Sequence, residues 1–239
     1  GKYLGRVDLK VKNGKVVETS SNLIPVFSDV VAPDQEMTKL IKKIRSPYEK
    51  ECNRIIGKTD NLLYRRGNFN GSWDDVICDA IMQERDTEIS LSPGFRWGTT
   101  LLPGQNITID DIYSQTSMNY PEVYRIEMTG KTIKDLLEDV CDNIFNPDPF
   151  FQQGGDMVRV GGLSYTCNPK NKIGNRINNL RIISSDIPLE SNQKYVVGGW
   201  GSVNKNVKGP AIYNLLENFI SEKKVIKASR RETVKIVGM

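Results

Sequence analysis

The stretch TGKTIKDLLEDVCDNIFNPDP, residues 129–149, carries the clearest structural signal in the chain. Ile133, Leu136, Leu137, Val140, Cys141 and Ile144 recur at helical spacing, while Lys134, Asp135, Glu138, Asp139 and Asp142 are expected to face water. The run Asn146-Pro147-Asp148-Pro149 ends the helix, because proline lacks a backbone N–H and clashes with the preceding turn. Upstream, residues 123–128 read as a strand. Downstream, a glycine-rich connection over residues 152–162 leads to a strand-like stretch through Tyr165. Strand, amphipathic helix and strand in succession point to an α+β (mixed α/β) domain.

Working outward, the same interleaving continues. Val7, Leu9 and Val11 alternate with polar residues, Asn13-Gly14 supplies a tight turn and Val16-Val17 begins the return, which predicts a hairpin. An irregular crossing follows over residues 23–33. From Asp34 a helical pattern runs through Met37, Leu40, Ile41, Ile44, Tyr48, Cys52 and Ile55 to Gly57, with a kink or break expected before Pro47. A second helix should start at Ser72, with Asp75 as its capping-box partner and Val76, Ile77, Ala80 and Ile81 buried. Residues 88–91, 179–183 and 195–199 read as strands, and residues 108–113 as a short helix. Pro210 opens a last helix with Ile212, Leu215, Leu216, Phe219 and Ile220 on one face. We expect residues 1–32 to form a hairpin and connector, and residues 33–239 one compact domain.

Composition narrows the chemistry. The 239 residues include no histidine. Histidine is the usual proton shuttle near neutral pH and a common transition-metal ligand. The chain is therefore not expected to carry its own zinc centre or a Ser-His or Cys-His nucleophile. It reads as the part of an enzyme that holds a substrate rather than the part that does the chemistry. A net charge of +4 is too small for a nucleic-acid partner, which would call for a concentrated basic face. No apolar run reaches the ~20 residues needed to span a bilayer, so no membrane partner is expected. The Lys/Arg cluster of Lys223, Lys224, Lys227, Arg230, Arg231 and Lys235 reads as a solvated surface. Cys52, Cys78, Cys141 and Cys167 lie far apart without a CxxC pair, compatible with free buried thiols or with a bridge. The opening Gly1, running straight into a strand-like pattern, reads as a cut piece of a longer protein.

Arg96, in SPGFRWG, follows Pro93-Gly94 at the end of a strand, where a planar guanidinium can grip an oxyanion with two hydrogen bonds or join a surface ion pair. Trp97 beside it could wall a pocket or plug the core. Arg65 and Arg66 form a second cationic spot just before the Ser72 helix start, where an anion is favoured. QQGGDMVRVGG, residues 152–162, sets four glycines around Asp156 and Arg159 and matches neither a Walker loop nor GxGxxG. Tyr120, Phe150, Phe151 and Trp200 are loop aromatics that could stack on a base or belong to the core. Asp74-Asp75 and Asp110-Asp111 sit at helix starts, where capping explains them.

RRGNFNGSWDDVICDAI, LSPGFRWGTTLLPG, the run from YPEVYRIEMTG to GGDMVRVGGLSY, and YVVGGW together resemble the C-terminal domain of the SoxB-type thiosulfohydrolases, a branch of the 5'-nucleotidase family. The likeness runs in order over roughly residues 60–205. It implies a 5'-nucleotidase-like C-terminal fold and, outside this chain, an N-terminal metallophosphoesterase domain holding two metal ions, manganese, with residues 1–32 as its tail. It further implies a periplasmic parent that releases sulfate from a cysteine S-thiosulfonate on a sulfur carrier protein. Arg96 is then the arginine that faces the substrate oxyanion, and Arg65, Trp97, Tyr120, Asp156, Arg159 and Trp200 are the other substrate-binding candidates. The PFGN and F-x-x-GGDGY segments of nucleotide-cleaving members are not reproduced; the matching regions read MNYPEVY and GGWGSVNKNVKG. The alternatives are the C-terminal domain of a 5'-nucleotidase or nucleotide-sugar phosphatase, and a carrier-docking module with no catalytic group.

Overall fold

The computed structural model describes residues 3–65, 67–95, 97–116, 120–202, 206–228 and 233–238. Its contacts divide it into two units, Gly1–Lys50 and Glu51–Met239.

In the first unit, β1 (Tyr3–Lys12) pairs antiparallel with β2 (Lys15–Pro25). Asn13 and Gly14 join them with φ of 51° and 72°, the left-handed pair whose twist suits a two-residue hairpin turn. Every residue of both strands is exposed. β2 continues to Pro25, beyond the expected start of the crossing. The helix α1 (Gln35–Arg45) is capped by Asp34, whose carboxylate accepts the Met37 N–H at 2.7 Å. Pro47 lies in a 3₁₀ turn, Ser46–Tyr48, that separates α1 from the short α2 (Glu49–Cys52), as the proline demands. One expectation changes here: Ile55 to Gly57 is strand rather than helix.

The second unit opens with β3 (Ile55–Thr59), α3 (Ser72–Arg85), β4 (Ile89–Ser92), β5 (Asn106–Thr108), α4 (Ile109–Thr116), β6 (Tyr124–Thr129) and α5 (Gly130–Phe145). It continues through β7 (Arg159–Gly161), β8 (Leu163–Cys167), β9 (Ile177–Ile182), β10 (Ile187–Pro188), β11 (Lys194–Gly199), α6 (Ile212–Lys223), β12 (Val225–Ile226) and β13 (Val234–Ile236). The central sheet has the order β6–β11–β4–β7, with β11 and β4 parallel and the other pairs antiparallel. A second mixed sheet runs β10–β9–β8–β13, and a small third one β12–β3–β5. The fold is the mixed α/β arrangement expected.

Two apolar cores follow from this layering. Trp73, Ile77 and Ile81 of α3 meet Leu216 and Ile220 of α6 in the first. Ile133 and Leu137 of α5 meet Ile89, Leu163 and Ile177 in the second. The chain leaves the central sheet for the second sheet at Gly162, between β7 and β8. This residue has φ of 71°, and a β-carbon there would lie 2.1 Å from the Glu88 carbonyl oxygen, so glycine is required.

Three polar expectations change as well. Ser72 is not a cap: Gly71 holds that position, while the Ser72 hydroxyl donates to the Leu62 carbonyl and accepts the Tyr64 N–H. Glu138 does not face water. It is buried, and its carboxylate accepts the backbone N–H groups of Gly174, Arg176 and Ile177 at 2.8, 3.2 and 2.7 Å, fixing the β8–β9 connection. Asp74 is buried too, in the ionic cluster described below. Lys223, Lys224, Lys227 and Lys235 are exposed, as expected of a solvated surface, whereas Arg230 and Arg231 lie outside the described residues.

Candidate functional site

Three loops meet at the C-terminal end of β4: the RRGNFNG segment before α3, the SPGFRWG segment after β4, and the QQGGDMVR segment before β7. Buried charge holds them together. Arg65 has each of its three nitrogens on a protein acceptor: Nε on Asp74 Oδ1 at 2.7 Å, Nη1 on the Gln115 carbonyl at 2.8 Å and Nη2 on the Pro93 carbonyl at 2.8 Å. Arg159 donates from Nη2 to the Gly67 carbonyl at 2.8 Å and to Asp156 Oδ2 at 3.3 Å, and its Nε stands 3.3 Å from Asp74 Oδ2. Two arginines and two aspartates thus balance in charge inside the protein, with Asp74 bridging the arginines. Burial pushes the Asp74 carboxyl up and the Arg65 guanidinium down, and their mutual attraction opposes both shifts. An uncompensated charge here would be costly, so the network fixes the loops relative to one another.

The loop that carries Arg96 is secured on both sides of that residue. Arg65 holds the Pro93 carbonyl, and Gln115 Nε2 donates to the Thr99 carbonyl at 2.9 Å. Gly94 presses against the third loop, where a β-carbon would stand 2.3 Å from the Met157 carbonyl oxygen. Phe95 stacks on Trp97 with centroids 3.7 Å apart, meets Trp200 edge-on at 6.1 Å, and lies 5.6 Å below the Arg65 guanidinium carbon. Trp200 is buried and donates its indole N–H to Ser92 Oγ at 2.8 Å. A cavity of about 770 Å³ opens beside Pro93 and Gly201, lined by Tyr124, Met128, Leu136 and Trp200 among others.

The candidates from the sequence therefore separate by environment. Trp97 and Tyr120 are exposed, and the Tyr120 carbonyl accepts the Gly201 N–H at 3.2 Å. Arg65, Asp156, Arg159 and Trp200 are buried within the scaffold behind the loop, where they position it. Arg66 and Arg96 lie outside the described residues. Phe150 and Phe151 are exposed rather than core, packed edge-on against each other. Asp111 does what capping predicts, its carboxylate accepting the N–H and hydroxyl of Thr108. Sequence reasoning missed Asp74, Gln115 and Ser92 as positioning residues, because nothing in their local spacing distinguishes them from a cap, a helix-end amide and a strand-end serine. Among the described residues, no three His, Cys, Asp or Glu side chains come together to hold a metal ion, and no helix is long and apolar enough to cross a membrane.

Residues 55–201 match the family 5'-nucleotidase, C-terminal domain. The chain belongs to this family. The 5'-nucleotidase C-terminal domain seen here superposes over its whole length on the sulfate thiohydrolase SoxB of Thermus thermophilus, with a TM-score of 0.90 and 31% identity, covering 45% of that chain. It also covers 50% of a 5'-nucleotidase precursor from the same species, with a TM-score of 0.79 and 16% identity, a likeness of fold. The trifunctional nucleotide phosphoesterase YfkN of Bacillus subtilis (strain 168) is 24% identical over 194 residues, which span 77% of this chain and 13% of YfkN. The chain thus spans about half the length of these solved relatives and a smaller share of YfkN.

Proposed function

We propose that this chain is the substrate-holding part of a SoxB-like thiosulfohydrolase, which releases sulfate from a cysteine S-thiosulfonate on a sulfur carrier protein in the periplasm. The observation that carries this reading is the 31% identity to a sulfate thiohydrolase over the entire chain, against 16% to the 5'-nucleotidase precursor. The local geometry fits a substrate-gripping role. A loop secured at Pro93 and Thr99 is suited to presenting one side chain, Arg96, to the sulfonate oxygens without reorganising as charge develops. The exposed faces of Trp97 and Tyr120 would flank the carrier's cysteine-bearing tail.

The chemistry at sulfur would come from two manganese ions bound by an N-terminal metallophosphoesterase part of the parent, which supply a nucleophilic hydroxide and a Lewis acid. Residues of the present chain bind and orient the anion and keep the loop still. The hairpin supports a larger parent. Its strands expose Leu4, Val7, Leu9, Val11 and Leu23, and an isolated two-stranded hairpin is marginal in water. We assign their cover to that N-terminal part.

A nucleotide-cleaving parent is the second reading, favoured by the likeness to YfkN. Against it, the PFGN and F-x-x-GGDGY segments of nucleotide-cleaving members are not reproduced, and Trp200, near the second of them, is buried with its indole N–H on Ser92.

Calorimetric titration of the chain with a carrier peptide bearing a cysteine S-thiosulfonate, and separately with AMP, tests the assignment. Saturable peptide binding that is lost in Arg96→Ala supports it, and AMP binding without a peptide response overturns it. If both titrations are silent, turnover of the two substrates by the full-length enzyme decides. There, Arg96→Ala should lower kcat by about 100-fold if the arginine meets the transition state, whereas a rise confined to KM marks a docking role.

A further inference from the structure

Cys141 of α5 and Cys167 of β8 face each other inside the second core. Their sulfurs are 3.7 Å apart, both residues are wholly buried, and they stand 26 positions apart in sequence. No other pair of cysteine sulfurs comes this close among the described residues: Cys78 is buried singly beneath the central sheet, and Cys52 is half-buried near the start of the second unit.

We propose that Cys141 and Cys167 are a modification site, oxidised in the mature protein to a disulfide that ties α5 to β8. A disulfide needs its sulfurs about 2.0 Å apart, and these two already touch at 3.7 Å in the folded protein. The placement matters because the ring it closes contains the whole segment from the end of α5 to β7. That segment includes Asp156 and Arg159, which hold the Arg96 loop through Asp74, Gly67 and Met157. The bond would therefore fasten the third loop of the site from behind.

The step balances as an exchange. One thiolate attacks the oxidant, a protein or small-molecule disulfide, to form a mixed disulfide and release a thiol. The second thiolate then displaces the remaining half as another thiol, so two electrons and two protons pass from the cysteines to the oxidant. Because both sulfurs are buried in the folded protein, the exchange belongs to folding, before α5 packs on the sheet.

The test refolds the chain with oxidised and reduced glutathione, denatures it without reductant, counts thiols with a chromogenic reagent and maps nonreduced peptides by mass spectrometry. Two titratable thiols and one peptide pair joining Cys141 to Cys167 are expected. Reduction should then lower Tm by roughly 5–10 °C, a shift absent from the Cys141→Ala/Cys167→Ala double variant. Four free thiols after oxidative refolding, or a bridge involving Cys52 or Cys78, would overturn the proposal whether or not the variant folds.

Discussion

Gly94 lies so close to Met157 that a β-carbon on the glycine would stand 2.3 Å from the Met157 carbonyl oxygen and 2.8 Å from that of Asp156. Both neighbours are backbone and neither can step aside cheaply. Gly94→Ala should therefore force the second and third loops apart, at a cost of about 1–3 kcal/mol, read from the urea midpoint. An unchanged midpoint would mean that the loops are looser than their contacts imply.

The charge balance of the buried cluster makes a signed prediction. Arg65→Met leaves Asp74 and Asp156 facing Arg159 alone and should destabilise by about 3 kcal/mol. Asp74→Asn alone leaves an excess positive charge and should also destabilise. Combined, the two substitutions restore neutrality, so the double variant should be more stable than the sum of the single effects allows, by about 1 kcal/mol. Strict additivity in a denaturation cycle would argue against a shared network.

Glu138 makes its contribution through three backbone donors. Glu138→Gln keeps one acceptor oxygen and turns an amide N–H₂ toward N–H groups, costing about 1–3 kcal/mol. Hydrogen exchange should quicken at the amides of Gly174, Arg176 and Ile177, and protection unchanged there would count against the assignment.

Asp142 sets an acid limit. Its carboxylate accepts from Arg176 Nη1 at 2.5 Å and from the Asn146 side chain at 2.9 Å, which holds its carboxyl below the ordinary 3.8. The native state thus binds fewer protons than the unfolded chain as pH falls through the range just below 3.8. The contribution is whole above that range and disappears through it. Asp142→Asn should flatten stability against pH on this limb and leave the slope near neutrality unchanged, as urea titrations at stepped pH would show.

Much of the fold is legible in the sequence because burial writes itself as periodicity. The apolar spacing of α5 and α6, the Asn13-Gly14 turn and the proline breaks at Pro47 and Pro147 all carry a local signal. What escapes is whatever depends on a distant partner. Ile55 continues a helical spacing, yet it pairs with Thr108 in a sheet. Glu138 falls on the polar side of its helix, but the β8–β9 connection folds over it. The site divides the same way. The three glycine-rich loops stand out as sequence, whereas their convergence through Asp74 depends on residues far apart along the chain. Arginines that look ready for a ligand can instead be consumed in holding the loops.

The passage through Gly162 has a consequence for how this unit comes apart. One continuous run of backbone belongs to the central sheet on one side of that glycine and to the second sheet on the other. The helix α3, which carries much of the first core, packs on β4, whose Ile89 and Leu91 belong to the second. Neither core can lose its order without stripping a wall from its neighbour. Residues 51–239 should therefore melt in one calorimetric step, with no half-open intermediate from which a protease could release the binding loops intact.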